Sequence, residues 1–193
     1  METIRSIDNI IALQAGEVAI WGADVSEMTE DIDSLIGLLS AEELQKAERL
    51  KNKQARQMCV VARGGLRVLM GAYTKQDPSQ VMFGQQFGGK PTLESGEMSF
   101  NLSHSGDWVV WAFAASGEVG VDLEQVRAHV SYARVAQRYF QPAEQQALAE
   151  AADASRLFFD IWAAKEALVK ASGKGVFGAM NEVELPLMAG VVP

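Results

Sequence analysis

The chain holds one cysteine, Cys59, in 193 residues. A single thiol excludes an internal disulfide and any multi-cysteine metal cluster, and it fits a reducing cytoplasm. Long apolar runs are missing too, since none approaches the ~18–20 residues that a membrane-spanning helix needs. The opening METIRSIDNIIALQAGEVAI lacks the basic flank and sustained apolar core of a secretory signal. A soluble cytoplasmic protein with no membrane partner is expected. There is no Walker loop and no dinucleotide fingerprint. His104 has no cysteine and no plausible nucleophile–acid set around it in sequence, which excludes a hydrolase triad. Internal repeats and low-complexity linkers are absent. Basic residues are outnumbered, 17 Lys and Arg against 25 Asp and Glu, and the net charge of −8 argues against nucleic acid as a partner.

What is present is a chain with 48% apolar residues, enough for a packed core. Charge is sharply divided along it. Residues 1–45 carry ten acids and one base, Arg5, whereas residues 46–75 carry eight bases and one acid, Glu48. The second stretch is either a solvated helix face or a local site for phosphates.

EVAIWGADV (17–25) reads as a strand, and DIDSLIGLLS as a loop or short helix. Ser40 followed three residues later by Glu43 is a capping-box pattern, which predicts a helix through AEELQKAERLKNKQ. A second helix is predicted over residues 55–73. Gly64 and Gly65 within it each cost roughly 1 kcal/mol against alanine, so another backbone is expected to pack closely there. Residues 80–97 are turn-rich and predicted irregular. Three apolar runs follow in MSFNLSHSGDWVVWAFAASGEVGVDLEQV, read as an antiparallel meander or hairpin set. Residues 131–140 and 142–151 look helical, with Pro142 suited to a helix start. ASRLFFDIWAAKEALVKASGKG is the clearest helix, ended by Gly173, and NEVELPLMAGVVP is read as a final strand. Each half thus offers strand, helices and strands, which predicts two α+β units of similar size.

In EVGVDLEQV, a strand would put Val119, Val121 and Leu123 on one face and Gly120, Asp122 and Glu124 on the other. Such a carboxylate pair is either a wet sheet face or the lining of a cation site. On the long helix, Trp162, Glu166 and Lys170 recur every four residues along one side, where Glu166 and Lys170 also make an ordinary helix ion pair. Two strand carboxylates and one from a helix form an oxygen-rich corner of the kind that hard divalent ions such as Mg²⁺ prefer, and Lys170 beside it suits a phosphate. FNLSHSGDW supplies Ser103 and His104. GGKP (88–91) restricts the backbone of Lys90 and displays its amine.

In order and spacing, GGKP, FNLSHSGDW, VGVDLE and FDIWAAKEALVKASGKG resemble the signature blocks of the 4′-phosphopantetheinyl transferases of the two-lobed, surfactin-activating type. The resemblance covers residues 88–175, with a looser match at ARGGLR (62–67). It implies an α+β fold, a pseudo-dimer of two similar lobes, each a small antiparallel sheet packed on a long helix, divided into residues 1–100 and 101–193. It also implies an Mg²⁺-dependent enzyme that moves the phosphopantetheine arm of coenzyme A onto a serine of an apo acyl or peptidyl carrier protein. Carried over by position, Asp122, Glu124 and Glu166 are the metal ligands, and Lys170 grips the pyrophosphate. Arg63, Lys90, Ser103 and His104 hold coenzyme A phosphates. Glu166, Asp122 and Lys170 form the catalytic set, and Lys165 assists the leaving group. A monomer is expected because both lobes lie in one chain. The alternative is a non-catalytic coenzyme A or carrier-protein binding module of the same fold.

Overall fold

The computed structural model, which describes residues 2–3, 10–85, 89–127, 131–173 and 180–186, is α+β. Strand β1 (Glu2–Thr3) runs parallel to β2 (Val18–Asp24). β5 (Ser99–Ser105) and β6 (Trp108–Ala114) form an antiparallel hairpin, and β6 also pairs antiparallel with β2, giving the order β1-β2-β6-β5. Successive side chains along β6 point to opposite faces. Val109, Trp111 and Phe113 join Trp21, Ala23 and Phe100 in a core built on helix α3 (Lys53–Thr74). Ala112 and Ala114, one residue out of phase, pack instead against Val119 and Val121.

Ahead of α3 lie α1 (Ile32–Ile36) and α2 (Ala41–Arg49). The capping box forms: Glu43 N–H donates to Ser40 Oγ at 3.2 Å, and Ser40 N–H donates to Glu43 Oε2 at 2.9 Å. The helix expected to reach residue 54 stops at Arg49, because Asn52 Oδ1 accepts from Ala55 N–H at 3.1 Å and so caps α3. The close approach expected at the glycine pair is present at Gly64, where an added Cβ would lie 2.8 Å from Leu35 Cβ and 3.2 Å from Leu35 O. β3 (Phe83–Gln85) and β4 (Pro91–Leu93) form a two-stranded antiparallel ribbon in the stretch predicted irregular. Buried Arg67 secures it, donating to Glu43 Oε2 at 2.8 Å and Val81 O at 2.9 Å, with its guanidinium over the Phe83 ring.

A second, separate core gives the molecule its two lobes. It gathers Ala136 from α4 (Ala133–Tyr139), Leu148 from α5 (Pro142–Glu150), Phe158, Phe159 and Ile161 from α6 (Ala154–Ser172), and Leu185. α6 ends at Gly173, whose φ of +68° is the left-handed conformation that favours glycine. The final strand predicted from NEVELPLMAGVVP does not form over residues 181–186, and residues 187–193 lie outside the described residues. Side chains take its backbone groups instead. Lys165 Nζ donates to Val183 O, and Leu185 N–H donates to Glu144 Oε1 at 3.1 Å. Lys165 and Glu144 are 2.8 Å apart and wholly buried, so the expected part for Lys165 at the leaving group is corrected to an internal ion pair.

Candidate functional site

The third run of the predicted meander is not a strand: residues 119–127 carry no regular secondary structure. They lie beside β5, held by its side chains rather than by a ladder. The pleat puts Asn101, Ser103 and Ser105 on one face of β5. Val121 N–H donates to Asn101 Oδ1 at 3.0 Å, Ser103 Oγ donates to Asp122 Oδ1 at 2.8 Å, and Ser105 Oγ donates to Glu124 Oε2 at 3.3 Å. Gln125 N–H donates back to Ser105 Oγ at 2.9 Å. At Gly120 the backbone of the segment presses on α6. An added Cβ would be 1.9 Å from Ala167 O and 2.5 Å from Ala171 N.

That contact brings the segment's acids to the helix's Glu166 and Lys170. Lys170 Nζ donates to Asp122 Oδ1 at 2.5 Å, Ser103 Oγ at 3.1 Å and Val121 O at 3.3 Å, and it lies 3.9 Å from Glu166 Oε2. Burial, followed by the charge of Asp122, raises the Glu166 carboxyl to about 7 against the partial relief of Lys170. Burial and Asp122 push Glu124 upward as well, opposed by Ser105, Arg127 and Lys170. Asp122 itself is 3% exposed, and its Oδ2 is buried without a hydrogen-bond partner. A proton held by Glu166, or a cation, would satisfy that oxygen.

Among the described residues, no three His, Cys, Asp or Glu side chains converge as a ready-made metal cluster. The donor chemistry nonetheless fits a hard divalent ion. Carboxylate oxygens from Asp122, Glu124 and Glu166 repel one another, and one buried oxygen is stranded.

Lys170 also lines a cavity of about 340 Å³ beside β5, together with Arg63, Lys90, Phe100, Asn101 and Leu102. Arg63 and Pro91 border a second cavity of about 560 Å³, whose wall includes Lys46, Arg67 and Phe83. The other expected residues are placed unevenly. Ser103 is inside the cluster, whereas His104 is exposed on the opposite pleat and lines neither cavity. Lys90 lines the smaller cavity, but its amine is not displayed as expected. It is buried against Glu118 Oε2 at 2.6 Å, Val119 O at 3.1 Å and Ala171 O at 3.2 Å. Asn101 and Ser105 were missed by sequence reasoning, although the alternation of SFNLSHS signals that polar side chains at 101, 103 and 105 share a face.

Two family models match the chain. The 4′-phosphopantetheinyl transferase superfamily covers residues 118–193, and the 4′-phosphopantetheinyl transferase N-terminal family covers residues 25–116. The 4′-phosphopantetheinyl transferase HetI of Nostoc is 33% identical over 184 residues, 92% of this chain and 77% of that protein. A putative 4′-phosphopantetheinyl transferase of Synechocystis is 37% identical over 151 residues, 76% of this chain and 61% of its own length. Sfp of Bacillus subtilis is 28% identical over 76% of this chain and 66% of its own. The chain therefore spans less than two thirds of several of the proteins it matches.

Proposed function

The chain belongs to the 4′-phosphopantetheinyl transferase superfamily, and from that premise we propose that it transfers the phosphopantetheine arm of coenzyme A to a serine of an apo acyl or peptidyl carrier protein. The observation that supports this most is that Lys170, which lines the smaller cavity together with Arg63, also gathers Asp122, Ser103 and Glu166 around its amine.

Arg63 and Lys170 present positive charge to coenzyme A within the cavity, with Lys170 directed at the pyrophosphate. Ser103 holds Asp122 and adds a hydroxyl beside the same amine. His104, exposed on the other face of β5, is kept as a ligand of the 3′-phosphate on the strength of the family resemblance alone. The Lys90 amine is engaged by Glu118, Val119 and Ala171, so Lys90 is not counted among the ligand's partners. Asp122, Glu124 and Glu166 would hold Mg²⁺, which when bound neutralises the diphosphate charge.

The carrier serine oxygen bonds to the β-phosphorus while that phosphorus parts from the oxygen leading to the α-phosphate. Adenosine 3′,5′-bisphosphate leaves with the electron pair. Glu166 is the carboxylate placed to accept the serine proton. Charge placement and alignment by Lys170, Arg63 and the carboxylates supply most of the rate.

Intact-mass measurement of an apo carrier protein incubated with this chain, coenzyme A and Mg²⁺ tests the reaction. A gain of one phosphopantetheine arm, abolished by chelator, is expected. Coenzyme A binding without any gain on acyl or peptidyl carriers would favour the binding-module alternative.

A further inference from the structure

The reacting groups come from two pieces of chain that share no backbone hydrogen-bond ladder. Asp122 and Glu124 sit on the irregular segment, and Glu166 and Lys170 sit on α6. Gly120 lets the two backbones touch, but a van der Waals contact does not by itself fix their separation. We propose that Lys90 is a positioning residue whose ammonium fastens the 118–125 segment to the last turn of α6 and so sets the distance between Asp122 and the Glu166–Lys170 pair. This rests on the transferase reading given above.

Three features carry the inference. The Lys90 side chain is 7% exposed, and its three N–H donors are filled by Glu118 Oε2, Val119 O and Ala171 O. No donor is left for a phosphate unless one of these bonds breaks. Val119 adjoins Gly120 in sequence, and Ala171 is the residue whose amide nitrogen faces Gly120, so the two carbonyls flank the close contact. Ala171 O is also one of the last four carbonyls of α6, which lack a partner within the helix and lie at its negative end. An ammonium joining them neutralises that end while Glu118 balances the buried charge. On the other side of Gly120, Lys170 donates to Val121 O at 3.3 Å. Two lysines thus grip the segment on either side of the glycine, one from β4's leading edge and one from α6.

The test compares wild type with Lys90→Met and Glu118→Gln, at a temperature where each is folded, using three readouts. Amide hydrogen exchange at Val121 and Gln125 reports the seating of the segment without reference to activity. It is expected to quicken at least tenfold in Lys90→Met while β6 amides keep their protection. Mn²⁺ affinity, read from the free-ion paramagnetic resonance signal, is expected to fall about tenfold. Metal-free affinity for adenosine 3′,5′-bisphosphate is expected to stay within twofold. Glu118→Gln should move the first two readouts in the same direction by less. Unchanged exchange at Val121 and Gln125 overturns the proposal. A selective loss of bisphosphate affinity also overturns it and returns Lys90 to the phosphate ligands. If wild type binds neither Mn²⁺ nor the bisphosphate, the transferase reading fails, and the exchange result still decides the role of Lys90.

Discussion

Asp122 is the residue on which the site's charge depends. One of its oxygens is shared by Ser103 and Lys170, and the other is buried without a partner. Asp122→Asn removes the charge that holds Lys170 and repels Glu166. Transfer activity is expected to fall by 10²-fold or more with the fold retained, checked by the carrier mass assay and circular dichroism. Glu166 gives a pH signature in the metal-free chain. Its carboxyl titrates near 7 when folded against an ordinary 4.5, so between these values the folded state holds the proton and the unfolded state has lost it. Stability is therefore greatest below the lower value and declines as pH rises through the upper one. Urea titrations in chelator should show a loss of about 1–2 kcal/mol between roughly pH 5 and pH 7.5, absent in Glu166→Gln. A flat profile in wild type would show that the group is not raised.

The elements are held by contacts that specific small changes remove. Gly120→Ala drives a methyl into Ala167 O, where the alternative is to push the segment off α6. A cost of about 1–3 kcal/mol is expected by urea unfolding, with weakened Mn²⁺ binding, because overpacking of this kind has no free rotamer to relieve it. Wild-type values for both would mean that the segment sits further from the helix. Ser40→Ala removes the hydroxyl that accepts from Glu43 N–H and should cost about 1 kcal/mol. Glu43 also pairs with Arg67, so the cap is tied to the anchorage of the 78–81 turn beside the larger cavity.

At the scale of the molecule, the two cores are separate, and the second contains a fully buried ion pair. In the second lobe, Glu144 and Lys165 are both fully buried, and between them they secure α5, α6 and residues 183–185. Lys165→Met removes the cation partner of buried Glu144, which should cost about 3–5 kcal/mol by urea unfolding. Adding Glu144→Leu should recover only part of this, because the Gln141 and Leu185 amides lose their acceptor. Full recovery would show that the pair, rather than the carboxylate's backbone bonds, is the main determinant. The division of charge along the sequence has a comparable outcome. Of the bases in residues 46–75, Arg67 is consumed internally and Lys46 pairs with Glu42, whereas Arg63 lies where the two cavities meet.

Local periodicity and capping chemistry depend on neighbours in sequence, and the amino acids alone determined those features. The Ser40 capping box, the Pro142 start, the Gly173 stop, the strand at 18–24 and the helical row Trp162, Glu166, Lys170 were all legible. The shared face of Asn101, Ser103 and Ser105 was missed, although the alternation of SFNLSHS carries it. Tertiary structure decided what alternation cannot encode. VGVDLE has a strand's pattern, yet it packs through Gly120 on α6 and is held by side chains of β5 rather than by a ladder. Lys90 and Lys165 read as available amines in a linear sequence. Their partners, Ala171 and Glu144, are brought to them only by packing across the chain. A lysine's chemistry is set by whether its donors face water or buried oxygens, and that is fixed when distant elements close around it.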